Sequence, residues 1–404
     1  MICIVISQLS ACKSLEAGRF DFPNPIDTSS KEIQMQEKGE FYFRESGVSI
    51  DNTFDGARMN GAKMLDSVTL LVSITPENAP INPSPFYSFR VSADKEKEIT
   101  LILDYLDAKH RYYPKVSDDG ETWQRLPESD VQVAENEKTA SLKLKLSPEK
   151  LWVSGQELMN STYTKNWCEE LATDSRVRFS SIGKSKLGRD LYLLDIYEGE
   201  KEKKETVVIL GRQHPPEISG YIAMEAFVEE ILGDSALSKA FVSKFRILVF
   251  PLMNPDGVDL GHWRHNAGGI DLNRDWSKFR QPETRQVADY MVAETTRSKN
   301  KVLLGLDFHS THRDVYYTMD ESMPSVINGF KDYWLDGIDD AFADYKPEDA
   351  PSGLTRPISK GWFYLQFGAE SITYEIGDHT PRDFIRAKGS VSAKEMMKLL
   401  ILRN

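Results

Sequence analysis

Residues 141–146, Ser141-Leu142-Lys143-Leu144-Lys145-Leu146, alternate polar and apolar positions, and this period of two predicts a half-buried strand. Short apolar runs at 68–74, 86–91 and 99–103 predict further strands, with turns at Asn82-Pro83 and Asp119-Gly120 between them. Many short strands with few helical signals predict a β-sandwich domain over residues 31–158. Before it, residues 13–40 are polar with interspersed prolines and read as a linker or an irregular edge, so residues 1–30 are taken as leader and linker. The texture changes near residue 159. Apolar strands are predicted at 191–196, 206–210, 245–250, 303–308 and 371–376. They alternate with helices at 218–232, 282–297, 326–342 and 381–400. In the first helix, Ile218, Tyr221, Ile222, Phe227, Ile231 and Leu232 mark an apolar face and Gly233 a stop. Strands alternating with helices of this length predict an α/β sheet covered on both faces over residues 159–404.

Composition narrows the function. The chain has 404 residues, 40% hydrophobic and 28% charged, an ordinary globular make-up with ample length for a core. Sixty-two acidic against 50 basic residues give a formal charge of −12, which argues against nucleic acid as a partner. No apolar run is long enough to predict a transmembrane span. Cys3, Cys12 and Cys168 make neither a disulfide framework nor a metal cluster. The apolar start ending in Leu9-Ser10-Ala11-Cys12 looks like a lipoprotein cleavage box without the usual basic residues before it. That predicts a periplasmic or lipid-anchored protein of the bacterial envelope; a cytoplasmic one is the alternative.

The candidate chemistry sits at predicted strand ends. His214-Pro215-Pro216-Glu217 follows strand 206–210, and His309 follows strand 303–308. Two imidazoles and one carboxylate leave a fourth zinc position open, the catalytic rather than the structural arrangement. Glu375 ends strand 371–376; a carboxylate there is costly unless paired or functional, and it is a candidate general base. Arg264 and Arg274 bracket a short Gly-containing loop and could hold a substrate carboxylate and a developing oxyanion. They could equally pair with Asp256, Asp271 or Asp275.

Taken in order, the H-x-x-E pair, the Asn254-Pro255-Asp256-Gly257 segment, Trp263-Arg264, Asn273-Arg274, Asp307-Phe308-His309-Ser310 and the late Glu375 closely resemble the M14 zinc carboxypeptidases. The strand-rich part around Pro85-Phe86-Tyr87-Ser88-Phe89-Arg90-Val91 is similar to the N-terminal domain of the cytosolic-carboxypeptidase-like branch. The resemblance implies a mixed eight-stranded sheet flanked by helices, preceded by the β-sandwich. It implies one zinc per protomer held by His214, Glu217 and His309, with Glu375 as general base and proton shuttle. Arg264 then stabilises the oxyanion, and Asn273 and Arg274 grip the free C-terminal carboxylate of a peptide substrate. His265, His312 and His379 have no ligand role in that pattern, though His312 could line the pocket. Two departures stand out. Pro216 replaces the usual glycine before the ligand glutamate, and the mobile tyrosine about 20 residues before the base is missing from 351–360, with Tyr364 a substitute at short offset. In the family, the loop before the base strand lines the pocket for the terminal residue. Here residues 353–362 carry Arg356 and Lys360, which predicts a preference for acidic C-terminal residues unless both side chains point to solvent.

The expected activity is hydrolysis of a C-terminal peptide or isopeptide bond. A cell-wall peptide amidase or endopeptidase of the same fold is the alternative, separable by whether a free carboxylate is required. A non-catalytic peptide- or glycan-binding protein would be favoured by loss of a ligand or the base, and all four residues are present.

Overall fold

The computed structural model describes residues 15–79 and 82–403, so the Leu9-Ser10-Ala11-Cys12 quartet lies outside the described residues. Alternation places Leu142, Leu144 and Leu146 of strand Thr139–Leu146 inside, opposite strand Lys97–Tyr105, with Leu142 facing Leu101 in register. These two strands are central to a five-stranded sheet, and a six-stranded sheet packs against it. Val72, Leu101 and Leu142 share one apolar core with Phe89 and Val91 from the other sheet. Burial of apolar surface between two facing sheets is what holds a sandwich together. One member of that core comes from far along the chain: Trp263, fully buried, whose indole donates to the Phe86 carbonyl (3.0 Å).

Residues 15–36 are irregular, but they do not form a free linker. They run along the α/β part of the chain, where Ala17 enters the core. The Trp362 indole donates to Gly18 O (3.0 Å), Ser277 Oγ to Phe20 O (2.6 Å) and Gln281 Nε2 to Thr28 O (2.7 Å). Side-chain donors of the α/β part thus satisfy carbonyls that no strand or helix pairs, which a polar, Pro-containing sequence conceals.

The α/β part is built on a mixed sheet. Seven strands lie in it among the described residues, where eight were expected. Four neighbours are parallel, in the order Phe245–Phe250, Glu205–Gly211, Val302–Thr311, Glu370–Gly377, and the outer strands run antiparallel. From Glu205–Gly211 the chain adds Phe245–Phe250 on one side and Val302–Thr311 on the other. The crevice above the carboxyl ends of strands that diverge in this way is the place where α/β sheets bind ligands. Elements the hydrophobic pattern did not reveal include helices Ser161–Leu171, Ala236–Lys244 and Ser359–Phe367 and strand Val177–Lys184. Two of them begin at ordinary caps: Asn160 accepts from Tyr163 N (2.9 Å) and Ser235 from Ser238 N (3.0 Å).

Helix Ile218–Ile231 is buried nearly all round rather than amphipathic, because helix Arg382–Leu402 packs along it on the side away from the sheet. Gly220 sets its approach to the sheet. A Cβ there would lie 2.2 Å from the His309 carbonyl oxygen, so only glycine lets this helix come down onto strand Val302–Thr311. No helix among the described residues is long and apolar enough to cross a membrane.

Candidate active site

Strand Glu205–Gly211 ends in an unusual turn. Arg212, a non-glycine residue, has φ +53°, a conformation that costs free energy and persists only when its surroundings enforce it. Its guanidinium lies over the Tyr221 ring and donates to Pro215 O (2.7 Å). This folds His214-Pro215-Pro216-Glu217 back onto the start of helix Ile218–Ile231. Pro216 fits because the segment is a turn, and Glu217 serves as the residue preceding the helix.

His214, Glu217 and His309 meet there, all buried, with one donor atom from each within 4.8 Å of the others. His214 Nδ1 lies 2.8 Å from Glu217 Oε1 and His309 Nδ1 2.7 Å from Glu217 Oε2. The outer nitrogens are held as well: His214 Nε2 by Asp271 Oδ1 (2.8 Å) and His309 Nε2 by Asp307 Oδ2 (2.9 Å). A carboxylate on the outer nitrogen fixes the tautomer so that the inner lone pair is free for a metal. The donor set and its supports therefore fit zinc. Burial tends to raise the Glu217 carboxyl, but the charges and hydrogen bonds of His214 and His309 outweigh it and hold the group below the ordinary range.

Glu375 sits directly beside His309, the two being in-register partners on parallel strands. Its Oε2 is shielded from solvent and has no hydrogen-bond partner. Burial pushes its carboxyl up to about 7, with a smaller opposing pull from His309. A zinc dication bound at the adjacent ligands would lower it again. Two residues earlier, Thr373 presents a buried hydroxyl without a partner on the same face.

Arg264 and Arg274 lie near the ligands, within reach of the Glu375 charge. Arg264 Nε donates to Asp271 Oδ2 (2.7 Å), and Arg274 Nη1 lies 3.9 Å from the same oxygen. The Arg274 guanidinium is shifted down by burial, then by the charges of Arg264 and Arg356, and its Nε has no partner. Asn273 Oδ1 accepts from Ser359 N (3.0 Å), which aims its amide nitrogen at His309 Nε2, 3.2 Å away. His309 already directs that nitrogen's hydrogen to Asp307, so the Asn273 amide keeps its donors for another acceptor.

Other expected positions fall elsewhere. Lys360 is not available to a substrate: helix Ser359–Phe367 buries it, and Nζ donates to Thr318 O, Ser352 O (3.0 Å) and Ser352 Oγ (2.7 Å). A buried ammonium needs its three donors satisfied, and two backbone carbonyls and a serine hydroxyl do that here. Arg356 is exposed on the segment before that helix, near Arg274. Tyr364 lines a separate cavity with Met319, Phe330 and Glu370, and Glu370 opens the strand whose far end carries Glu375. Strand Val315–Tyr317 instead sets Tyr317 opposite Thr373; burial, then the nearby Glu375 charge, raises its phenol. His312 lines a cleft with Pro85 and Arg111 of the sandwich. Sequence reasoning noted Asp307 only as part of a motif and gave it no role, although its place two residues before His309 on one strand face is a usable signal. It weighed Asp271 only as a partner for arginine.

A sequence profile of the M14 peptidases, described as zinc carboxypeptidase, matches residues 164–386. The chain belongs to the M14 zinc carboxypeptidase family. It is thus a metallocarboxypeptidase, a peptide hydrolase using zinc. An uncharacterised protein of Zymomonas mobilis is 26% identical over 305 residues, 70% of this chain and 71% of that protein. Human cytosolic carboxypeptidase 2 is 30% identical over 169 residues, 38% of this chain and 18% of that protein. The chain thus spans less than a quarter of that longer relative. The crystal structure of a metallo-carboxypeptidase from Burkholderia cenocepacia superposes with TM-score 0.73 at 17% identity, covering 88% of this chain and 99% of that one. One from Pseudomonas aeruginosa, in complex with (2-guanidinoethylmercapto)succinic acid, gives 0.71 at 19%, covering 87% and 99%. Both share the fold of this M14 member across its sandwich as well as its α/β part.

Proposed function

We propose that this M14 member removes the C-terminal residue from peptides, through a peptide or isopeptide bond, and favours acidic residues there. The observation that carries the reading is the arginine cluster. The charges of Arg264 and Arg356 both act on Arg274, Asp271 is the carboxylate bonded to Arg264 between them, and Arg274 Nε has no partner. Such a cluster favours an arriving anion. A free terminal carboxylate held there by Arg274 and Asn273 sets the scissile bond over His214, Glu217 and His309. An amidase or endopeptidase acting within a chain has no use for that grip.

Bound zinc would supply Lewis acidity toward the scissile carbonyl and acidify a water. Glu375 Oε2 takes a proton from the attacking water and passes it to the leaving nitrogen. Arg264, its Nε fixed by Asp271, offers its remaining guanidinium hydrogens to the oxygen on which charge develops. Arg356, exposed and acting on Arg274, is the residue assigned here to an acidic side chain; Lys360 is left out because its ammonium is already satisfied.

Release of C-terminal residues from a mixed peptide library tests this. Glu and Asp should leave faster than Leu or Lys, and Arg356→Ala should lower kcat/KM for Glu about tenfold, the scale of one charge-assisted hydrogen bond, while sparing Leu. Faster release of Leu or Lys by the parent would defeat the acidic preference, and cleavage of peptides amidated at the C-terminus would defeat the carboxylate grip.

We further propose that residues 31–158 and 159–404 are two domains joined by a substantial interface, supported by Trp263 in the sandwich core and by Arg382 bonded to Glu157 (2.8 Å). Limited proteolysis should not separate them into an active 160–404 fragment; release of such a fragment with full activity would make them independent modules.

A further inference from the structure

The loop that carries Arg264 is shaped from outside the α/β part. Glu77, in the loop after strand Thr69–Ile74 of the sandwich, is fully buried and directs both carboxylate oxygens into it. Trp263 N donates to Oε2 (2.8 Å); Arg264 N (3.1 Å) and His265 N (2.8 Å) donate to Oε1, and His265 Nδ1 lies 2.9 Å from Oε1. Three successive backbone N–H groups converging on one anion form a concave nest. Such a curve exists only while the anion is there, because the amides would otherwise repel and stand unsatisfied. The next residue repeats the grip further along the loop, Asn78 Nδ2 donating to Gly269 O (3.1 Å). Gly257 closes the other side: a Cβ there would lie 2.6 Å from His265 O. The guanidinium of Arg264 projects from the middle of this clamp to Asp271 and the metal ligands.

We propose that Glu77 is a positioning residue: the sandwich lends a carboxylate that bends Trp263–His265 and so holds Arg264 over the reacting carbonyl. The inference rests on assigning Arg264 to the developing oxyanion. It gives the sandwich a part in the reaction without any contact to substrate. The same carboxylate also offsets the charge of the buried Arg58 guanidinium in the sandwich.

A double-mutant cycle on the full chain tests it, with kcat, KM and zinc content measured on a blocked peptide ending in Glu. Glu77→Gln should lower kcat about ten- to hundredfold, the cost of a displaced catalytic group, with KM within about threefold and zinc retained. In the Arg264→Ala background the same change should cost less than threefold, because there is no guanidinium left to misplace. A structural role alone would lower both backgrounds equally. Equal losses, or Glu77→Gln within threefold of the parent, would overturn the positioning role. Arg264→Ala within threefold of the parent would instead overturn the oxyanion assignment, and the proposal with it. Should Glu77→Gln fail to fold, Glu77→Asp, one methylene too short to reach all three amides, enters the same cycle with the same criteria.

Discussion

Glu375→Gln protein should bind zinc as the parent does and lose turnover by at least about two to four orders of magnitude, the range for a positioned acid–base group. The amide is nearly isosteric with the carboxylate, so packing beside His309 on the parallel strands should survive. What it lacks is a lone-pair oxygen basic enough to take the water proton and an acid to return it. Thr373, two residues away, has a hydroxyl that cannot replace it near neutral pH. Zinc content and kcat on the same preparation decide the matter. Metal-loaded variant retaining more than a tenth of parental kcat would mean that another group is the base.

The second large effect is expected from the metal centre. The parent should hold one zinc per chain, and His309→Ala should hold far less and be inactive. The remaining donors, His214 and Glu217, are too few for a tight tetrahedral site. Asp307 would lose the imidazole it supports while keeping Gln213 and Ser359 as partners, so the fold should persist. The thermal midpoint supplies a readout independent of activity. Zinc at a hundred times its dissociation constant stabilises a native protein by about 2.7 kcal/mol, so adding zinc after chelation should raise the midpoint of the parent and leave that of His309→Ala unmoved. Unchanged stoichiometric zinc in the variant would remove His309 from the ligand set.

Much of this protein is legible from residue order. Strand period and apolar runs predicted strands at 141–146, 245–250 and 303–308, found as Thr139–Leu146, Phe245–Phe250 and Val302–Thr311, because a strand's pattern reports burial directly. The motif pairs around His214, Glu217, His309 and Glu375 were visible because each lies at or just beyond the end of an apolar strand. Helix Ile218–Ile231 was predicted with the wrong exposure, since the helix that covers its outer side comes some 150 residues later in the chain. The segment 353–362 was read as a pocket loop, yet its second half is helix Ser359–Phe367 and turns Lys360 into the core.

The sequence by itself determined which chemistry the chain carries: a His2Glu donor set, a strand-end carboxylate, paired arginines, and two textures of hydrophobic pattern. Those follow from local spacing and from which side chains can ligate, donate or accept a proton. Only the tertiary structure decided which charges are available. Lys360 and Arg356 are four residues apart and equivalent on paper, but the fold satisfies one with two carbonyls and a serine hydroxyl and leaves the other near Arg274. It also joined Glu77 to Arg264 across 187 positions, a contact no local pattern encodes, because a nest of backbone amides has no side-chain signature.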